Sequence, residues 1–144
     1  MDYRERNRVS TVDCTRSPHF EWTVTDLRRQ GFKLVAITDP HIANRPGYAP
    51  YDSGRAHDYF VKNSDGSVLV GPVWPGPSVF PDSTRSAVRT WWGTLYREFV
   101  NDGIRGFWND MNEPALFVYP PKTLPLDTVH VEQRKTDHRE IHKS

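Results

Sequence analysis

The sequence predicts an α/β fold, a parallel sheet covered by helices. Three observations predict it. Residues 17–31 carry an amphipathic helical stripe with both stop signals, a short apolar run follows directly, and the same helix-then-apolar-run order recurs over 81–110. Such alternation sets strands side by side in parallel, because each helix carries the chain back to the edge where the last strand began. At 144 residues the chain has the length of one ordinary domain.

In the first helix, SPHFEWTVTDLRRQG, Ser17 is a candidate cap and Pro18 suits the first helical position. Gly31 suits the left-handed position past the end. Phe20, Val24 and Leu27 make one apolar stripe. The run FKLVAITDP, bounded by Gly31 and Pro40, is apolar on both faces and predicts a buried parallel strand. Residues 40–81 hold most of the prolines and glycines and one short hairpin signal, DYFVK and SVLVG around Asn63-Ser64-Asp65-Gly66. This segment is expected to be a long excursion from the C-terminal end of the first strand, and long excursions in compact folds are usually functional. A second helix is expected over PDSTRSAVRTWWGTLYREFVNDG, capped by Asp82 or Ser83 and ended by Gly103. Its face of Val88, Trp91, Trp92, Leu95 and Phe99 marks the two tryptophans as core. IRGFWND predicts another buried strand, and a polar, charged tail covers about 132–144.

Composition excludes several functions. Basic and acidic residues number 19 and 18, for a net charge of +1, so no basic stripe invites nucleic acid. No apolar run is long enough for a membrane span, and the charged start, MDYRERNRVS, lacks a signal-peptide core, so a cytoplasmic location is expected. The lone Cys14 excludes an intrachain disulfide or a multi-cysteine metal site. His138 and His142 stand four apart in the charged tail and are read as a solvated face. Neither a metal nor a cofactor is expected.

In parallel α/β folds chemistry gathers at the C-terminal ends of strands. Asp39 and Asp110 each end a predicted strand, and alternation puts Ile37 with Asp39 and Trp108 with Asp110. If both faces line one mouth, it holds two carboxylates, an aliphatic floor and an indole wall. Such a carboxylate can act as nucleophile, general base or metal ligand, and the indole suits the apolar face of a sugar ring. Glu113, before Pro114, is expected to orient its neighbours. Spacing alone leads to a sugar site or a metal site.

The stretch GFWNDMNEP resembles the signature around the catalytic nucleophile of glycoside hydrolase family 31, the α-glucosidase family. GFKLVAITDPHI is similar to the preceding barrel strand of that family, VWPGPSVFPD to its tryptophan-bearing loop, and WWGTLYREFV and HREIH to flanking helices. The resemblance implies a (β/α)8 TIM barrel and a retaining α-glycosidase acting on terminal α-linked glucose. By position it implies Asp110 as the nucleophile, which forms a covalent glycosyl ester. It implies sugar contacts at Trp108, Met111 and Trp74, and at Ile37 and Asp39.

The family's acid/base, with an Arg and a His that bind sugar, lies downstream of the matched strands. Its upstream D-I-D-Y strand is met here only by Met1-Asp2-Tyr3. Residues 1–144 are therefore expected to form a partial barrel of about three of the eight strands, inactive alone and prone to self-association through open sheet edges. The alternatives are a non-catalytic sugar-binding module built on Trp74, Trp108 and Asp39, and a divalent-metal site of Asp39, Asp110 and Glu113.

Overall fold

The computed structural model describes residues 5–8, 11–117 and 122–130. The expected charged tail, HREIH and the Met1-Asp2-Tyr3 strand lie outside them. In chain order the elements are α1 (Phe20–Arg29), β1 (Val35–Thr38), β2 (Ile42–Ala43), α2 (Ala49–Ala56), β3 (Gly71–Val73), β4 (Gly76–Val79), α3 (Ser86–Thr94), α4 (Arg97–Asn101) and β5 (Gly106–Asn109). β1 and β5 pair in parallel, with Val35 opposite Gly106 and Thr38 opposite Asn109. β2, β4 and β3 form a separate antiparallel sheet in that order. The α/β alternation therefore holds for the frame α1–β1–α3–α4–β5, and the excursion is a small structure of its own.

Both strands of the parallel pair start from the same device. After α1, Gly31 takes φ +87°, its N–H bonds Arg28 O, and Phe32 N–H bonds Leu27 O. After α4, Gly103 takes φ +100°, with Gly103 N–H on Val100 O and Ile104 N–H on Phe99 O. These are Schellman endings, in which a left-handed residue turns two orphan carbonyls back onto the chain. In the second, Ile104 also packs with Phe99 in the core. Glycine suits both sites because a Cβ at positive φ is strained.

Three expectations need correction. First, α1 begins at Phe20 with His19 at its N-cap, not at Ser17-Pro18. The Asp13 carboxylate takes the N–H groups of Thr15 and Arg16, so the preceding residues are used in a turn of their own. Second, the helix expected over 83–102 is two helices. It tightens at Leu95 and Tyr96 through bonds to Trp92 O and Gly93 O, and its N-cap is Arg85, without a side-chain cap. Asp82, expected as a cap, instead lies fully buried and accepts hydrogen bonds from Thr84 Oγ1 (2.6 Å) and His130 Nδ1 (2.8 Å). Third, neither parallel strand is buried on both faces. Ala36 and Phe107 pack with Val24, Phe99 and Ile104 beneath the helices, whereas Val35 on the other face is 60% exposed. Only these two strands pair in the parallel sheet among the described residues.

The excursion holds more than the expected hairpin. That hairpin forms, with Leu69 N–H on Val61 O and Gly66 N–H on Asn63 O. Beside it, α2 packs Tyr51 and Phe60 in a cluster with Ile42 and Val79, against which Trp91 and Trp92 lie half-buried, as core. Gly54 of α2 shows how closely this cluster is packed: a Cβ there would meet Phe60 Cε1 at 2.7 Å. A second cluster joins Leu69, Val73 and Phe80 to Leu116, from the segment after β5.

Candidate active site

β1 and β5 run side by side, and their register settles which residues share a face. Ile37 is paired with Trp108, so both side chains leave the pair on one side, away from the helices. The alternation carried one residue further brings Asp39 and Asp110 to that same side, and Asp110 N–H extends the ladder to Thr38 O at 3.1 Å. The two carboxylates, the isoleucine and the indole thus come from adjacent strand ends.

The two acids have different surroundings. Asp39 is buried, with His41 Nε2 at 3.8 Å from its Oδ2 and His41 equally buried. Asp110 is half-buried, and its Oδ1 accepts the Met111 N–H at 2.9 Å. Met111 itself sits at φ +58°, a left-handed conformation unusual for a bulky residue. That local turn holds one carboxylate oxygen against the backbone and leads the chain away from the sheet. Trp108 is 59% exposed, so its face is open. Glu113 is exposed and precedes Pro114 through a cis peptide.

Trp74 stands on a different element. It lies at the tip of the β3–β4 hairpin, 57% exposed, with its ring edge-to-face against Phe117 at 4.9 Å. Phe117 N–H also bonds Pro72 O, which ties the segment after Asp110 to that hairpin. A three-carboxylate metal site finds no such convergence: among the described residues no group of three or more His, Cys, Asp or Glu is placed to hold an ion.

Sequence reasoning missed the polar groups behind the acids. Thr38 and Asn109 point to the helix-facing side, where Thr38 Oγ1 donates to Asn109 Oδ1 at 2.8 Å and Tyr96 Oη approaches the same oxygen at 3.0 Å. A signal existed: each is a polar residue one position before an acid, Thr38 buried and Asn109 exposed. Burial raises the Tyr96 phenol above its ordinary 10.0, against the opposing pull of hydrogen bonds with Thr38 and Trp92. The folded value exceeds the unfolded one, so this stabilisation is complete below pH 10 and is lost as the pH rises through the raised value. Thermal midpoints measured from pH 8 upward should fall less steeply in Tyr96→Phe than in the parent chain. Parallel curves would contradict this placement.

A cavity of about 510 Å³ lies away from the acids. It lies at the opposite end of the strands, lined by Leu34, Gly103 and Arg105 among others. Near the acids a cavity of only about 80 Å³ is lined by Pro40, Asn112, Pro114 and His130. The candidate site is an open face, not an enclosed pocket, because two parallel strands cannot close around a ligand.

Fold and site together define a class: a segment of a parallel β/α barrel whose strand ends present carboxylates and an indole. More particularly, the chain belongs to glycosyl hydrolase family 31, since residues 1–144 match the Glycosyl hydrolases family 31 TIM-barrel domain. Alpha-glucosidase 2 of Bacillus thermoamyloliquefaciens is 42% identical over 144 residues, 99% of this chain and 18% of that protein. The crystal structure of the glucosidase II alpha subunit, DNJ-bound, superposes with a TM-score of 0.85 at 36% identity, over 97% of this chain and 15% of its own. The family 31 alpha-glucosidase from Bacteroides thetaiotaomicron gives 0.77 at 36% identity, over 85% of this chain and 21% of its own. The chain therefore spans about a fifth or less of the length of these relatives, and it is a glycosidase-family barrel segment. No helix of the described residues is long and apolar enough to cross a membrane. One structural neighbour is an ER glucosidase II complex, so the relatives lend the cytoplasmic expectation no support.

Proposed function

We propose that the chain carries the nucleophile side of a retaining α-glucosidase site acting on terminal α-linked glucose. The observation that carries the reading is the shared open face of Trp108 and Asp110, set beside Ile37 and Asp39 by the parallel register. Asp110 attacks the anomeric carbon, the leaving oxygen departs with the bonding electrons, and water later releases the glycosyl ester. Trp108 and Trp74 offer apolar faces to the sugar ring, Met111 and Ile37 its floor, and Asp39 accepts from its hydroxyls. Glu113 orients neighbouring groups. No cofactor takes part.

A retaining mechanism also needs an acid roughly 5–5.5 Å from the nucleophile. In this reading the acid comes from barrel strands beyond the three of eight that this chain supplies, so the chain alone does not turn over. Purified chain and Asp110→Asn, each given p-nitrophenyl α-glucoside, test the assignment. Expected is no sustained release, with any initial release lost in Asp110→Asn; sustained release from both would overturn the role of Asp110.

The exposed indoles of Trp74 and Trp108 favour one second reading, a sugar-binding surface without catalysis. Glucose binding that survives Asp110→Asn, with no covalent adduct on the parent chain, would select it.

The outer edges of β1 and β5 have no partner strand among the described residues, and such edges recruit other strands. Self-association through them is the expected solution behaviour. Light scattering that found a monomer at every concentration would count against it.

A further inference from the structure

Behind the two carboxylates, the helix-facing side of the strands holds a chain of four polar groups. Trp92 Nε1, which can only donate, gives its hydrogen to Tyr96 Oη at 2.7 Å. Tyr96 Oη and Thr38 Oγ1 both bond Asn109 Oδ1, at 3.0 and 2.8 Å. An amide oxygen only accepts, so Asn109 Oδ1 is the acceptor that the two hydroxyls share. The two hydroxyl oxygens also stand within hydrogen-bond distance of each other, at 3.2 Å.

Position gives this chain its consequence. Thr38 and Asn109 are register partners, and each immediately precedes one of the two acids. Their side-chain bond links the strands one residue behind Asp39 and Asp110. Tyr96 sits where α3 gives way to α4, with its ring against Phe107 at 4.4 Å, so the same link reaches the helix layer. The acceptor must also be neutral. A carboxylate at 109 would accept the same two bonds but place a second negative charge one residue from Asp110. A leucine there would strip the buried Thr38 hydroxyl of its acceptor.

We propose that Asn109 is a positioning residue: as the shared neutral acceptor of Thr38 and Tyr96 it locks the C-terminal ends of β1 and β5 to the helices and thereby fixes how Asp39 and Asp110 face a glycone. The inference rests on the nucleophile role proposed for Asp110, and its test has one readout that needs no sugar.

The 144-residue chain is compared with Tyr96→Phe, Thr38→Val, Thr38→Ser and Asn109→Asp. The first readout is the rate of covalent labelling of Asp110 by 5-fluoro-α-glucosyl fluoride, resolved into a saturating rate and a half-saturating concentration. The second is amide hydrogen exchange at Asp110, followed by NMR, with thermal midpoints recorded throughout. Tyr96→Phe and Thr38→Val should lower the saturating rate about tenfold, as small misplacements of a reacting group do, with little change in half-saturation. Both should speed exchange at Asp110, and Thr38→Ser should restore parent values. Asn109→Asp, which keeps an oxygen acceptor for both hydroxyls, should keep the exchange protection. Slowed labelling that Thr38→Ser does not recover, or that merely follows the thermal midpoints, would overturn the proposal. An unlabelled parent chain would overturn the nucleophile reading instead; exchange then decides, with unchanged protection in Tyr96→Phe and Thr38→Val refuting the lock and faster exchange upholding it.

Discussion

Asp82→Ala should cost the fold about 1–3 kcal/mol, the range for leaving hydrogen-bonding groups without their buried partner. Asp82 has no solvent exposure, and three separate segments meet on it. Its Oδ1 takes the Thr84 hydroxyl at the approach to α3 and the ring of His130 from the far end of the described chain. Its backbone N–H bonds Tyr59 O, and its carbonyl receives the Arg85 N–H. Alanine preserves the backbone bonds but leaves a half-buried hydroxyl and a half-buried imidazole facing a methyl group, with the desolvation of each uncompensated. Domains are stable by only about 5–15 kcal/mol, so a loss of this size is a sizeable fraction of the total. Asp82→Asn keeps an oxygen acceptor and should cost less, under about 1 kcal/mol. Denaturant unfolding followed by tryptophan fluorescence reports it, since Trp91 packs against the excursion. If Asp82→Ala lost no more than Asp82→Asn, the pair would not be the clamp described here.

The largest functional effect should appear at Asp110. A glucosyl fluoride tests the nucleophile alone, because fluoride leaves with the C1–F electrons and asks little of a general acid. The parent chain treated with 5-fluoro-α-glucosyl fluoride should gain one glycosyl mass, carried on the peptide that contains Asp110 as an ester. Asp110→Asn should gain none. An amide oxygen is a far poorer nucleophile than a carboxylate, and losing a nucleophile costs on the order of 10⁴ or more in rate. Glu113→Gln should still be labelled, since Glu113 is exposed beyond the Met111 turn and only orients its neighbours in this reading. Label found on Asp39, or label unchanged in Asp110→Asn, would move the nucleophile elsewhere.

How much of this was legible in the chain depends on distance along it. The glycines at 31 and 103 mark helix ends by themselves, because a left-handed residue after a helical stripe is a local requirement, and both Schellman endings appear where those glycines stand. Strand alternation is equally local, so Ile37 with Asp39 and Trp108 with Asp110 could be grouped before any fold was known. The short motif around Asp110 carried the family with it.

Other features needed partners far away in sequence. That the two groups share one face depends on the register of β1 with β5, a pairing across 71 residues. α2 escaped notice because Gly54 interrupts its interior and Asp58, not glycine, takes the left-handed position after it at φ +56°. Glycine at 54 is explained only by Phe60 and Trp91, which stand where its Cβ would be. Asp82 read as a helix cap because its local context is that of one, and its buried bond to His130, 48 residues on, outweighed that use. Local propensity thus determined where helices stop, which side chains share a strand face and which acid carries the family's motif. Tertiary packing alone decided which strands adjoin, what the excursion buries and which polar groups brace the acids, because those energies come from pairs that the chain separates by dozens of residues.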